Sequence, residues 1–90
     1  MSLVAESLRF LPVSLSAPAG GVTIAFNNRD SGVAHNIHIF SGGTSIGSTE
    51  PATGQTAQTL ALGTLAAGAY PFVCDVHPQA MHGVLTVGGF

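Results

Sequence analysis

Apolar and polar residues alternate with a period of two along most of the chain, and this periodicity predicts β-strands rather than helices. In the clearest case, Val22, Ile24 and Phe26 alternate with threonine and alanine ahead of a turn-forming run at residues 27–32. Further strands are expected at residues 33–40, 56–62, 69–74 and 84–87, with a short edge strand around Ile46 and otherwise loop in residues 44–55. About seven short strands separated by turns predict an all-β sandwich.

The same alternation assigns inward faces to several of these strands. An early apolar series is interrupted by Pro12 and predicts an edge strand or a bulge; its members are Leu8, Phe10, Val13 and Leu15. Nearer the end of the chain, the side chains expected to face the interior are Leu60, Leu62, Tyr70, Phe72 and Cys74.

The composition excludes several classes of protein. The chain has 90 residues, which allows one domain spanning residues 1–90. Hydrophobic residues make up 46% and charged residues 7%, the reverse of the balance in disordered chains. The basic residues Arg9 and Arg29 are too few to neutralise the phosphates of a nucleic acid. No apolar run approaches the roughly 20 residues that span a bilayer, and the N-terminus lacks the basic start and apolar run of a secretory signal.

Residues that bind soft metals are concentrated at positions 74–82. Cys74 is the only cysteine, so it forms no internal disulfide and is a free thiol, an intermolecular link or a ligand. His77 follows three residues later and Met81 four beyond that, while His35 lies on an upstream strand. A thiolate, two imidazoles and a weak axial thioether are the donors of a blue-copper electron-transfer site. The pattern therefore favours copper.

The run CDVHPQAMHG within residues 68–87 resembles the ligand loop of the small cupredoxins, the group of plastocyanin, amicyanin and pseudoazurin. His35-Asn36 resembles the His-Asn pair of that family, and residues 10–12, 19–24 and 27–28 resemble its opening strands. The resemblance implies a Greek-key β-sandwich with one copper ion, bound by His35, Cys74 and His77 with Met81 as axial ligand. It also implies that Asn36 ties the two ligand-bearing loops together, and that the protein works in the periplasm or outside the cell.

The ligand loop departs from its relatives in length. Three residues separate His77 from Met81, more than in amicyanin-like loops and fewer than in plastocyanin-like ones. His82 follows Met81 directly, and we expect it to be exposed near the site rather than a ligand. Pro78 is expected to stiffen the loop, and Gly83 to let the chain turn back into the last strand.

Other polar residues near this run are expected to have structural roles. By strand alternation His38 lies on the face opposite His35, so we expect it to be structural or exposed. Asp75 and Glu50 are interpreted as solvated surface charges. The context of Tyr70 resembles a tyrosine corner, which is a packing device.

The leading functional hypothesis is one-electron transfer between redox partner proteins. A small apolar docking patch is expected around His77, formed by Val33, Ala34, Val76, Pro78, Ala80 and Met81. The alternative is a copper-binding or carrier domain of a larger secreted or membrane-anchored protein, without a role in electron transfer. An enzyme is disfavoured, because Cys74 lacks the neighbouring histidine that would reach a second copper centre. Zinc is disfavoured because a thioether is a poor zinc ligand.

Overall fold

The computed structural model describes residues 1–88, which form eleven β-strands and no helix. The strands are β1 (Ser2–Ala5), β2 (Phe10–Leu11), β3 (Ser14–Ala17), β4 (Gly20–Asn28), β5 (Ala34–His35), β6 (His38–Ser41), β7 (Thr44–Ser48), β8 (Ala52–Thr53), β9 (Thr56–Leu65), β10 (Gly68–Val73) and β11 (His82–Val87). Over the same residues, we find no helix with the length and apolar character needed to cross a membrane.

Two main sheets enclose one core. The first has the strand order β2-β1-β4-β9 and the second β3-β11-β10-β6-β7, while β5 and β8 form a separate pair. Strand β1 runs parallel to β4 and β3 runs parallel to β11; the other pairs are antiparallel. Leu3 of the first sheet and Leu85 of the second belong to the same buried cluster. The predicted all-β sandwich is therefore confirmed.

Aromatic side chains from both sheets meet at the centre of this core. The rings of Phe10 and Phe26 have centroids 6.1 Å apart, and those of Phe10 and Phe72 have centroids 5.2 Å apart, both edge to face. This geometry is favourable for aromatic pairs beyond the area they bury. Tyr70, on the same face of β10 as Phe72, donates from its hydroxyl to the carbonyl of Ala66 at 2.6 Å, which confirms its structural role.

Gly83 has a different role from the one expected. It lies inside β11, without a positive φ, so no turn depends on it. A Cβ at this position would lie 2.6 Å from Cζ of Phe72 and would also meet the carbonyl oxygen of Val13. Gly83 therefore leaves the space that the buried Phe72 ring occupies.

The single strand expected at residues 33–40 is divided in the structure. Its halves are β5 and β6, which belong to different sheets. Between them the amide of Ile37 donates to Oγ1 of Thr49 at 3.1 Å, and the amide of Thr49 donates to the carbonyl of Ile37 at 3.0 Å. Thr49 directly follows β7 and continues its pairing, but its side-chain oxygen rather than its carbonyl accepts from Ile37, and the β6–β7 ladder ends here.

The N-terminal region also differs from the prediction. Strand β1 was not expected, yet it pairs with β4, and its Leu3 and Ala5 are fully buried. Of the early apolar series, Phe10 and Leu15 are buried, whereas Leu8 and Val13 are exposed. Leu8 lies in a turn where φ is 58°, outside any strand, so alternation does not apply to it.

Candidate metal centre

Three predicted ligands converge at one end of the sandwich. Cys74 directly follows β10 and His35 is the last residue of β5; both are fully buried, while His77 is half-buried. Nδ1 of His35 and Nδ1 of His77 each lie 3.9 Å from Sγ of Cys74. The three residues offer ligand atoms that all lie within 4.8 Å of one another.

These separations fit a single bound ion. Metal–nitrogen and metal–sulfur bonds are about 2.0 to 2.3 Å long, so two donors 3.9 Å apart can share one ion. A thiolate and two imidazoles are a soft set, which suits copper and also accommodates zinc. The residues present therefore fit the metal that the ligand pattern predicts.

The ligand loop between Cys74 and Met81 is closed by its own main chain. The amide of His77 donates to the carbonyl of Cys74 at 3.2 Å, and the amide of Met81 donates to the carbonyl of His77 at 2.9 Å. The amide of Cys74 donates in turn to the carbonyl of Met81 at 3.0 Å. Met81 is fully buried, and its main chain is hydrogen-bonded to both Cys74 and His77.

Asn36 joins the ligand loop to the segment that carries His35. Its Nδ2 donates to Oδ2 of Asp75 at 2.9 Å and to the carbonyl of Thr49 at 3.3 Å, and its Oδ1 accepts from the amide of Asp75 at 2.8 Å. Asn36 is 1% exposed, so its amide group is shielded from water, although its partner Asp75 is exposed. The expected link between the two loops is present in the structure.

Asp75 is an exposed surface residue, as expected, and in addition it has hydrogen-bond partners that the sequence did not indicate. Besides Asn36 it contacts Nδ1 of His38 at 3.0 Å, and Nε2 of His38 lies 2.7 Å from Oγ of Ser45. The hydrogen bond from Asn36, together with His38, lowers the pKa of the Asp75 carboxyl against the opposing effect of burial. His38 therefore has the structural role expected of it.

Asp30 is a site residue that sequence reasoning missed. Its Oδ2 lies 2.7 Å from Nε2 of His35, and its two oxygens accept from the amides of Ser7 and Leu8 at 2.8 and 3.1 Å. The contact with His35, followed by the two amide bonds, lowers the pKa of Asp30 to about 2. Its position in a turn, five residues before His35, was the only available signal.

The surface beside His77 is partly apolar. Val76, Pro78 and Ala80 are exposed, and Val33 and Ala34 are half-buried. Met81 is fully buried, so it cannot contribute surface to a docking patch, contrary to expectation. His82 is exposed on β11, where it pairs with Val73, in agreement with its expected position outside the ligand set.

Replacing Asn36 by alanine is expected to destabilise the chain by about 1–3 kcal/mol, because the buried Asn36 side chain makes three hydrogen bonds, to Asp75 and to the buried Thr49, that alanine cannot make. Urea unfolding monitored by circular dichroism measures this loss. Asn27→Ala is a matched control, since the side chain of Asn27 makes no hydrogen bond to any residue among positions 1–88. Equal unfolding midpoints for the two variants would contradict the role given to Asn36.

Comparisons with known proteins agree with this architecture. The cupredoxin-like domain family matches residues 1–87. Auracyanin A, a "blue" copper protein from Chloroflexus aurantiacus, superposes with a TM-score of 0.87 at 24% identity over 98% of this chain and 97% of its own. Auracyanin from Roseiflexus castenholzii gives 0.87 at 23% identity over 98% and 95%, and an azurin from Methylomonas sp. strain J gives 0.82 at 16% over 99% and 97%. No curated protein matches the sequence. The family match over nearly the whole chain shows that this protein belongs to the cupredoxin-like domain family.

Proposed function

We propose that this protein carries single electrons between redox partners through one copper ion held by His35, Cys74 and His77, with Met81 as the axial ligand. The observation that carries the proposal is the convergence of one sulfur and two imidazole nitrogens within 4.8 Å. When bound, copper supplies a one-electron change between Cu(I) and Cu(II). A His₂Cys set with a weak axial thioether is the arrangement that electron-transfer copper sites use.

The protein holds the metal ligands rigidly and excludes water from them. Cu(I) and Cu(II) prefer different geometries, so fast transfer requires ligands that move little between the two states. The main-chain bonds among Cys74, His77 and Met81 restrict the loop, and Asn36 fixes that loop to the segment of His35. Complete burial of Cys74 and His35 keeps water away from the thiolate.

His77 is the ligand that can exchange electrons with a partner, because it is half-buried whereas Cys74 and His35 are covered. The exposed residues Val76 and Pro78 adjoin it and would form part of a docking patch. Weak redox encounters use small interfaces. With 7% charged residues in the chain, docking would depend little on salt. These features suit an electron carrier rather than an enzyme. From its membership of the cupredoxin-like domain family, we propose that it works in the periplasm or outside the cell.

A copper carrier domain within a larger secreted or membrane-anchored protein is the second candidate. A carrier has to release its metal to a partner, which the buried ligands and the closed loop oppose. The structure therefore supports the electron carrier better than the copper carrier.

The first test is the visible spectrum of the purified protein after addition of one equivalent of Cu(II). We expect an intense blue band from thiolate-to-copper charge transfer, bleached by ascorbate and restored by a mild oxidant over repeated cycles. Retention of copper through these cycles in the presence of a competing chelator separates an electron carrier from a copper carrier. A colourless protein with a weak, broad copper signal would contradict both the site and the function.

A further inference from the structure

Asp30 contacts the nitrogen of His35 that faces away from Cys74. Its Oδ2 lies 2.7 Å from Nε2, whereas Nδ1 of the same ring lies 3.9 Å from Sγ of Cys74. The side chain of His35 is fully buried and that of Asp30 is 16% exposed, so water competes little for this contact. In metalloproteins the second ring nitrogen of a histidine ligand commonly donates to such a carboxylate.

The carboxylate of Asp30 is itself held by the main chain. The amides of Ser7 and Leu8 donate to it, and both residues have a left-handed φ, at 57° and 58°. Successive amides in a turn of this kind form a concavity that binds an anion. The amide of Asp30 also donates to Oδ1 of Asn28 at 2.9 Å. Asp30 therefore has a fixed position that owes nothing to a metal.

A carboxylate accepts hydrogen bonds and donates none, so its contact with Nε2 of His35 requires the ring proton to be on that nitrogen. In the neutral ring the lone pair of Nδ1 is then free and faces Cys74. We infer that Asp30 is a positioning residue, which holds His35 in the tautomer and orientation that bind the metal. The identity of that metal rests on the proposed function, whereas the state of the ring can be measured without it.

Asparagine cannot reproduce this arrangement. Both oxygens of Asp30 accept, one from Ser7 and the other from Leu8 and His35. The amide of asparagine has only one acceptor oxygen. Its NH₂ group would therefore face either the amide of Ser7 or the donors of Leu8 and His35, with which it cannot form a hydrogen bond. Asp30→Asn should therefore hold the His35 ring less firmly in this tautomer and orientation, and Asp30→Ala should not hold it at all.

The test compares Asp30→Ala and Asp30→Asn with Glu50→Gln, which removes the same charge as Asp30→Asn from an exposed residue. Copper affinity is measured by competition with a Cu(I) chelator, and the His35 tautomer by long-range ¹H–¹⁵N NMR of the metal-free chain. We expect affinity to fall by about 10- to 100-fold in Asp30→Ala, since losing such a partner has effects of this size. Asp30→Asn should show a smaller fall and Glu50→Gln none. The ring should be purely Nε2–H in the wild type and mixed in Asp30→Ala.

Two outcomes would overturn the inference. One is a mixed tautomer in the wild type. The other is a loss of unfolding stability in the Asp30 variants with copper affinity and ring tautomer unchanged, which would make Asp30 a support for the Ser7–Leu8 turn alone. If Asp30→Ala does not fold, the copper affinity and the His35 tautomer of Asp30→Asn test the inference instead. A wild-type chain that binds no copper contradicts the proposed function, and the ring tautomer still decides the role of Asp30.

Discussion

Cys74→Ala is expected to abolish the blue absorption completely while leaving a folded chain. The band requires charge transfer from a thiolate, and Cys74 is the only cysteine. Its sulfur is also the atom that both imidazole nitrogens approach at 3.9 Å, so no neighbouring donor can replace it. Alanine removes one buried sulfur atom, a small change for the core. Titration with Cu(II), followed by visible and electron paramagnetic resonance spectra, measures the loss.

The matched control for Cys74→Ala is His82→Ala. His82 lies beside Met81 in the sequence, but it is exposed and outside the three-residue donor group. Its replacement should leave the intensity and position of the blue band unchanged. A band that survives in Cys74→Ala, or that disappears in His82→Ala, would show that the ligands are arranged differently.

Phe72→Ala is expected to have the largest effect on folding, a loss of about 3–5 kcal/mol. Phe72 is fully buried, stacks edge to face on Phe10 and fills the space that Gly83 leaves open. Collapse of the surrounding core cannot fill such a cavity completely. Because small domains are stable by only about 5–15 kcal/mol in total, the variant should unfold at much lower urea concentration.

Phe40→Ala provides the comparison for Phe72→Ala, because it deletes the same atoms from a ring that is only half-buried and stacks on His38. Its loss of stability should be clearly smaller. Urea unfolding of both variants, fitted with one common m-value, measures the two losses of stability and tests whether Phe72 lies at the centre of the core. If the two variants lose equal stability, the aromatic cluster around Phe72 is not the centre of the core.

The parts of the structure that follow from local pattern were predictable. Alternation placed Tyr70, Phe72 and Cys74 on one inward face, and all three are buried. The types and spacing of Cys74 and His77 indicated a soft metal, and the structure brings His35 to them. These predictions succeeded because side-chain direction in a strand and donor chemistry at a metal depend on residue type and immediate neighbours.

The parts that depend on distant partners were not predictable. Strand β1 is defined by its pairing with β4, about twenty residues later, and in the break between β5 and β6 the amide of Ile37 donates to the side chain of Thr49. The sequence around Asp30 and Asp75 is typical of surface residues. Their roles come from His35, Asn36 and His38, which only the folded chain brings to them.

The parallel pairing of β3 with β11 has a consequence for the order of assembly. Residues 14–17 gain a neighbour in their sheet only when residues 84–87 are available, and Asn36 reaches Asp75 across 39 positions. Sandwiches dominated by such distant pairings fold in milliseconds to seconds. A partly synthesised chain that ends before β10 has neither the thiol nor His77, so a copper ion held by these residues would have to be captured after residues 74–77 have been made. Metal uptake at this site should therefore come late in the synthesis of residues 1–88, after all the strands that precede β10.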